Sequence, residues 1–141
     1  SFNPAFVYAE LPPFTGIHNV TLTGSGENVN LLLLCSGSSV VIDVNGEPAP
    51  NNGYRFQLNH SSQGFSAIQR IDNANPTQLS TGGNSPGLPL EGSFDDSGNF
   101  TLEMSPGTLS ATDTTHNIDF IGIGFFNATG ETLTYSSFIV D

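Results

Sequence analysis

Asp95-Asp96-Ser97-Gly98-Asn99 places side-chain oxygens at alternate positions, Asp95, Ser97 and Asn99. Hard oxygen donors at that spacing are what a calcium loop offers. The pattern is not that of an EF-hand, because the glycine stands too early and no Glu follows at the twelfth position. Calcium bound here would need ligands from elsewhere, for which Asp72, Glu91 and Asp113 are the candidates. The competing reading is a plain hairpin turn with an exposed acidic tip.

Gly83-Asn84-Ser85-Pro86-Gly87 matches the G-x-S-x-G spacing of a hydrolase nucleophile elbow but fails on mechanism. The residue after the nucleophile must lend its backbone N–H to an oxyanion, and Pro86 has none. His18, His60 and His116 lie on separate segments without the i,i+2 or i,i+4 spacing of a metal clamp. With no Trp and two cations, the chain has little of the machinery for gripping and hydrolysing sugars, so no enzyme is expected. Four N-x-[ST] sequons, at Asn19, Asn59, Asn99 and Asn127, are candidate N-glycosylation sites, with Asn99 and Asn127 nearest to turns.

The totals restrict partners more firmly. Arg55 and Arg70 alone oppose thirteen carboxylates, there is no Lys, and the formal charge is −11. Nucleic acid is bound by neutralising phosphates with Lys and Arg, so it is excluded. Anionic membrane surfaces are excluded by the same argument, and no apolar run is long enough for a helical span. Charged residues make up 11 % of the chain, against ~25 % in ordinary domains, so the surface is built from Ser, Thr, Asn and Gly. Cys35 has no intrachain partner and, inside Leu-Leu-Leu-Leu-Cys, reads as a small buried apolar residue.

These residues must be positioned by strands. Leu31 to Cys35 is a continuous apolar run whose side chains point alternately to two faces, so both faces must be covered. It reads as one arm of a hairpin over Val29 to Val44, turning at Ser36-Gly37-Ser38, with Val40, Ile42 and Val44 on one face and Val41 and Asp43 on the other. A second tight turn is expected at Asn45-Gly46. His18 to Gly24 alternates with Val20 and Leu22 inward; Tyr54 to Asn59 alternates with Tyr54, Phe56 and Leu58 on one face. Phe65 to Ile71 is a further strand, Phe94 to Met104 a hairpin, and Ile118 to Phe126 and Thr132 to Val140 the last two strands. Glu47 to Gly53, Asp72 to Gly92 and Ser105 to Thr115 read as loops. No sustained helical period occurs anywhere. The fold class is all-β, a single antiparallel sandwich of jelly-roll type with about eight to ten short strands, the count given by turn spacing.

Residues 1–14 form an extended apolar arm carrying Phe2, Phe6, Tyr8, Leu11 and Phe14, and residues 15–141 the sandwich domain. The arm either joins its own sheet or is donated to a neighbour's. The first-ranked reading is a non-catalytic extracellular structural or adhesive protein, a filament or pilus-type subunit that self-associates through the donated arm. The alternative is a carbohydrate-binding module or lectin, for which Asp72, Asn75, Asn84 and Glu91 are the candidate ligand-loop residues and Tyr54 or Tyr135 the stacking platform. No cofactor is expected unless calcium occupies the Asp95 turn.

Overall fold

A computed structural model describes residues 2–10, 16–25, 29–37, 39–59, 65–83, 89–105, 107–128 and 134–140. The described residues contain no helix. The strands are β1 (Phe2–Glu10), β2 (Ile17–Ser25), β3 (Val29–Cys35), β4 (Val40–Ile42), β5 (Pro48–Pro50), β6 (Asn52–Asn59) and β7 (Ser66–Asp72). They continue with β8 (Asn75–Gly82), β9 (Leu90–Asp95), β10 (Asn99–Glu103), β11 (Thr108–Thr112), β12 (Phe120–Ala128) and β13 (Thr134–Val140). Six strands in the order β1-β12-β3-β6-β7-β8 form one sheet and five in the order β11-β10-β9-β2-β13 form the other. Every pairing is antiparallel, and β4 and β5 make a separate ribbon. The chain is a β-sandwich, as its alternating patterns predict.

Period-two patterning fills the space between the sheets. Val20, Leu22, Leu90, Phe94, Phe100 and Leu102 come from the five-stranded sheet and meet Leu32, Leu34, Tyr54, Phe56, Leu58, Ile68, Ile121 and Ile123 from the other. The Phe100 ring lies 4.5 Å from that of Tyr54 and 5.9 Å from that of Phe56, the latter edge-on at 85°. Gly92 makes room for this packing, since a Cβ there would fall 2.9 Å from both Phe56 and the Thr101 carbonyl oxygen.

The two-faced character of Leu31 to Cys35 holds, but its expected hairpin does not. β3 pairs with β12 and β6, whereas β4 pairs with β5. Residues 36–37 and 39–51 belong to an excursion between two strands that are themselves neighbours, closed at its base where Ser36 N–H donates to Asn52 O at 2.9 Å. The excursion folds the β4–β5 ribbon over the outer face of the six-stranded sheet. There Leu31, Leu33 and Cys35 form a second apolar cluster with Val40 and Phe120. Pro48–Pro50, read from sequence as loop, is therefore a buried strand.

The turn of the ribbon falls at Asn45-Gly46 as expected, with Gly46 at φ 83°. Within the face shared by Val40, Ile42 and Val44, Val40 packs on the Leu31 cluster whereas Ile42 is exposed. Val44 is 71 % exposed, while Asp43 is buried and pairs through Oδ2 with Arg55 Nη1 at 2.8 Å. Asp43 Oδ1 also accepts from the backbone N–H groups of Asn45 and Glu47. Arg55, 1 % exposed, completes its bonding to Gln69 Oε1 and the Pro48 carbonyl.

Two further stretches read as loop are strand. Asn73 and Ala74, at φ 48° and 66°, form the two-residue turn of a β7–β8 hairpin inside the presumed loop Asp72 to Gly92. β11 lies inside Ser105 to Thr115 and pairs with β10. Over Phe2–Glu10 the N-terminal arm pairs in continuous register with β12 of its own chain. The donor-strand reading therefore finds no support in the structure; Leu11 and Phe14 lie outside the described residues.

Cys35 is buried, and burial pushes its thiol up to about 12. The thiolate is the reactive form, so the native protein is expected to give no colour with a disulfide thiol reagent until denaturant is added. Immediate stoichiometric labelling would contradict this burial.

Candidate functional site

One end of the sandwich carries a cleft of about 320 Å³. The β9–β10 turn contributes Asp95, Asp96 and Gly98, and the segment following β11 contributes Asp113, Thr114, His116, Asn117, Ile118 and Asp119, with Phe100 beneath. Both walls are built rather than loose. Asp95 Oδ1 accepts from the backbone N–H of Ser97 and of Asn99, each at 2.9 Å, and Oδ2 accepts from Asn99 Nδ2 at 3.0 Å. These bonds, led by that of the Asn99 backbone, hold the Asp95 carboxyl below its ordinary value against a partial burial that would raise it. Gly98, at φ 78°, accepts through its carbonyl from Asp113 N–H, and a Cβ on it would meet the Asp113 carbonyl oxygen. The turn is thus seated directly on the opposite wall.

That wall is held by a polar network centred on Asp113. The Tyr54 hydroxyl donates to Asp113 Oδ1 at 2.7 Å and accepts from His116 N–H at 3.0 Å. Arg70 donates from Nη1 to Asp113 Oδ2 and from Nε to Asp72 Oδ2, both at 2.9 Å. Asp72 Oδ1 lies 2.7 Å from His116 Nε2. Partial burial would raise the Asp113 carboxyl, but hydrogen bonds from Thr115, Tyr54 and Arg70 outweigh it and bring the group down to about 2. Burial, reinforced by the neighbouring carboxylate, pushes the Tyr54 phenol up to about 12, so it stays a donor. The cleft is accordingly rich in fixed acceptors, and the nearby cation Arg70 is already committed to two carboxylates.

The residues singled out from sequence are divided by the fold. Asp95, Ser97 and Asn99 do belong to a tight turn, and Asp113 lies beside it, but the Asp95 oxygens are engaged in holding that turn. Asp72 sits behind His116, and Asn75 begins β8, where its Nδ2 donates to Asn73 O. Glu91 stands apart, in a shallow groove of about 220 Å³ on the outer face of the five-stranded sheet, with Asn19, Thr21, Ser93, Thr101 and Glu103 among its neighbours. Asn84 and His60 lie outside the described residues, and the side chains of Asn59, Asn127 and Tyr135 are likewise not described. Asn19 is exposed, as is Asn99, although Asn99 Nδ2 is bonded to Asp95. Tyr54 is fully buried and cannot stack on a ligand. His18 faces inward and stacks on Phe94 at 5.4 Å. Among the described residues no group of three or more His, Cys, Asp or Glu side chains could hold a metal ion.

No family model and no curated protein matches the chain. Solved structures do match along nearly its whole length. A toad ovary galectin in complex with thio-digalactose superimposes with a TM-score of 0.60 at 11 % identity, covering 97 % of this chain and 98 % of that one. The carbohydrate-binding module CBM66 from Bacillus subtilis gives 0.57 at 9 % identity, covering 98 % and 81 %. CG-16, a homodimeric agglutinin from chicken liver, gives 0.57 at 8 % identity, covering 99 % and 100 %. The chain shares their fold.

Proposed function

We propose that the chain is a non-catalytic, extracellular glycan-binding domain that takes neutral sugars at the cleft between Asp96 and Asn117. The observation that carries this reading is the exposed pair Asp96 and Asn117 lining a cleft whose walls are fixed by the bonded Asp95 and Asp113 carboxylates, on a fold shared with a galectin and a carbohydrate-binding module. Adjacent sugar hydroxyls are paired donors, and carboxylates accept such pairs with charge-assisted strength. Asp95 and Asp113 remain ionised at neutral pH, and Arg70 is spoken for, so sialylated and sulfated glycans are repelled. Ile118, half-buried at the cleft, supplies the small apolar patch against which the C–H face of a ring can rest.

The test is a glycan array followed by calorimetry at millimolar sugar, with and without added calcium. Neutral glycans are expected to bind and acidic ones not. Asp96 and Asn117 are exposed, so Asp96→Ala and Asn117→Ala should leave the fold intact. Each is expected to weaken binding about tenfold, the usual cost of a hydrogen bond to a charged or well-placed polar group. An array without any neutral ligand would end the proposal. Binding unchanged in both variants would move the site out of this cleft.

A further inference from the structure

The four carboxylates that line the cleft are not equivalent. Asp95 turns both oxygens into its own turn, and Asp113 divides its oxygens between the Tyr54 hydroxyl and Arg70. Asp119 Oδ2 accepts from the Gly37 N–H at 2.9 Å, and the Asp119 N–H donates to the Cys35 carbonyl at 2.7 Å. Asp96 differs from all three. It is exposed at the tip of the β9–β10 turn and engages no partner among the described residues.

The chain's own cations are committed elsewhere. Both arginines belong to the six-stranded sheet, where Arg55 is bonded to Asp43 and Arg70 to Asp72 and Asp113, and there is no Lys. His116, the basic side chain of the lining, has its Nε2 2.7 Å from Asp72 Oδ1. A concave site lined by one sign of charge raises the local concentration of the opposite sign. The ligand is therefore expected to bring the cation that the cleft lacks.

We infer that the cleft takes a sugar with a free, protonated amine, a deacetylated hexosamine or a short oligomer of it, placing the ammonium on Asp96 and ring hydroxyls on Asn117. This rests on the glycan reading of the cleft and narrows its ligand. An ammonium only donates, so a carboxylate satisfies it, whereas a hydroxyl also needs a donor for its lone pairs. Asn117, exposed on the other wall and without a partner among the described residues, both donates and accepts and so suits the hydroxyls. Ile118 beside it is half-buried and receives the C–H face. A pyranose presents hydroxyls and a C–H face together, which a lysine side chain does not. Sugar and charge are thus read by different residues.

Calorimetry on the whole chain tests this with chito-oligosaccharides of one length, deacetylated or fully N-acetylated, at about pH 6, below the ~7.7 at which an α-amino group loses its proton. The deacetylated form is expected to bind about tenfold more tightly at low salt, as a charge-assisted bond does relative to a neutral one. The preference should shrink near 1 M salt, where the Debye length is about 3 Å. Asp96→Asn keeps the shape and an acceptor, and is expected to abolish the preference while leaving affinity for the N-acetylated form within about threefold. Glu103→Gln removes an exposed charge from the outer face of the five-stranded sheet and should leave the preference intact. Loss of the preference in both variants would show general attraction to a chain of charge −11 and overturn the inference. Equal affinity for the two oligosaccharides on the unmodified chain overturns it too, but leaves the glycan reading standing. If neither binds and the array is empty, both fall. Oligolysine that binds as tightly as the amino sugar, with the same dependence on Asp96, would show that the cleft reads the ammonium without the sugar, and that also overturns the inference.

Discussion

Arg55→Met is expected to lower the unfolding free energy by about 3–5 kcal/mol, the usual consequence of leaving one partner of a buried ion pair uncompensated. The Asp43 side chain is completely shielded from solvent and would keep its charge's desolvation cost without the guanidinium 2.8 Å away. Glu47, whose carboxyl is pushed up by burial and pulled back by Arg55, would lose its compensation too. The damage should be local at first, because the pair pins the β4–β5 ribbon to β6 and the ribbon covers Cys35. Thiol labelling of Cys35 should therefore accelerate in Arg55→Met under conditions where the rest of the sandwich remains folded. Adding Asp43→Asn should recover most of the loss. The amide still accepts from Asn45 and Glu47 N–H, so the turn survives while the stranded charge is gone. Urea unfolding of the single and double variants, with labelling alongside, measures both. A single variant within about 1 kcal/mol of the parent would mean that the ribbon is held by its apolar contacts and the ion pair is incidental.

The same ribbon shows where local pattern stops being informative. Leu31 to Cys35 is legible because an unbroken apolar run requires cover on both faces wherever its partners come from. Its partners are not legible: β12 lies some ninety residues on in sequence, and nothing in Ser36-Gly37-Ser38 distinguishes a hairpin turn from the start of an excursion. Alternation separates Val44 from Asp43 without saying which of them turns inward; a buried guanidinium twelve positions away draws the carboxylate in. β8 and β11 escaped for a different reason. Their Thr, Ser, Gln and Asn residues are what an exposed sheet edge is made of, and such strands lack the apolar alternation by which strands are read. The cleft shared this fate. Asp113 to Thr115 ends an expected loop and Ile118 and Asp119 begin an expected strand that in fact starts at Phe120, since side chains that converge through irregular backbone have no periodic spacing. Of the cleft's second wall only Asp113, as a candidate calcium ligand, and His116, weighed as a metal ligand, stand out in the sequence, whereas Tyr54, read as a stacking platform, is a buried anchor of the cleft.

Acid should dismantle the cleft before it unfolds the sandwich, and Asp113 should account for much of that sensitivity. Its folded-state pKa near 2 lies below the ordinary carboxylate value of 3.8. Between those values the unfolded chain binds a proton that the folded chain refuses. The stabilisation is therefore complete above about pH 4 and is lost as pH falls through about 2, and it amounts to roughly 2 kcal/mol. The Asp72 and Asp95 carboxyls, lowered by Arg70 and by the Asn99 backbone respectively, act in the same direction and in the same acid range. Asp113→Asn keeps an acceptor for the Tyr54 hydroxyl but removes the charge that Arg70 binds. The variant should be less stable at neutral pH by about 2 kcal/mol, and its stability should decline less steeply than the parent's between pH 4 and 2. Protonating Asp113 also frees the wall that carries His116 and Asn117, so sugar binding should decline along the parent's acid limb, while in the variant it should already be weak at neutral pH. Urea unfolding of both proteins across that range, with sugar titrations at matched pH, reads the two effects together. Parallel acid limbs in the parent and the variant would show that Asp113 does not hold this end of the molecule, and that the network around Tyr54 is an accessory of the core instead of the support of the cleft.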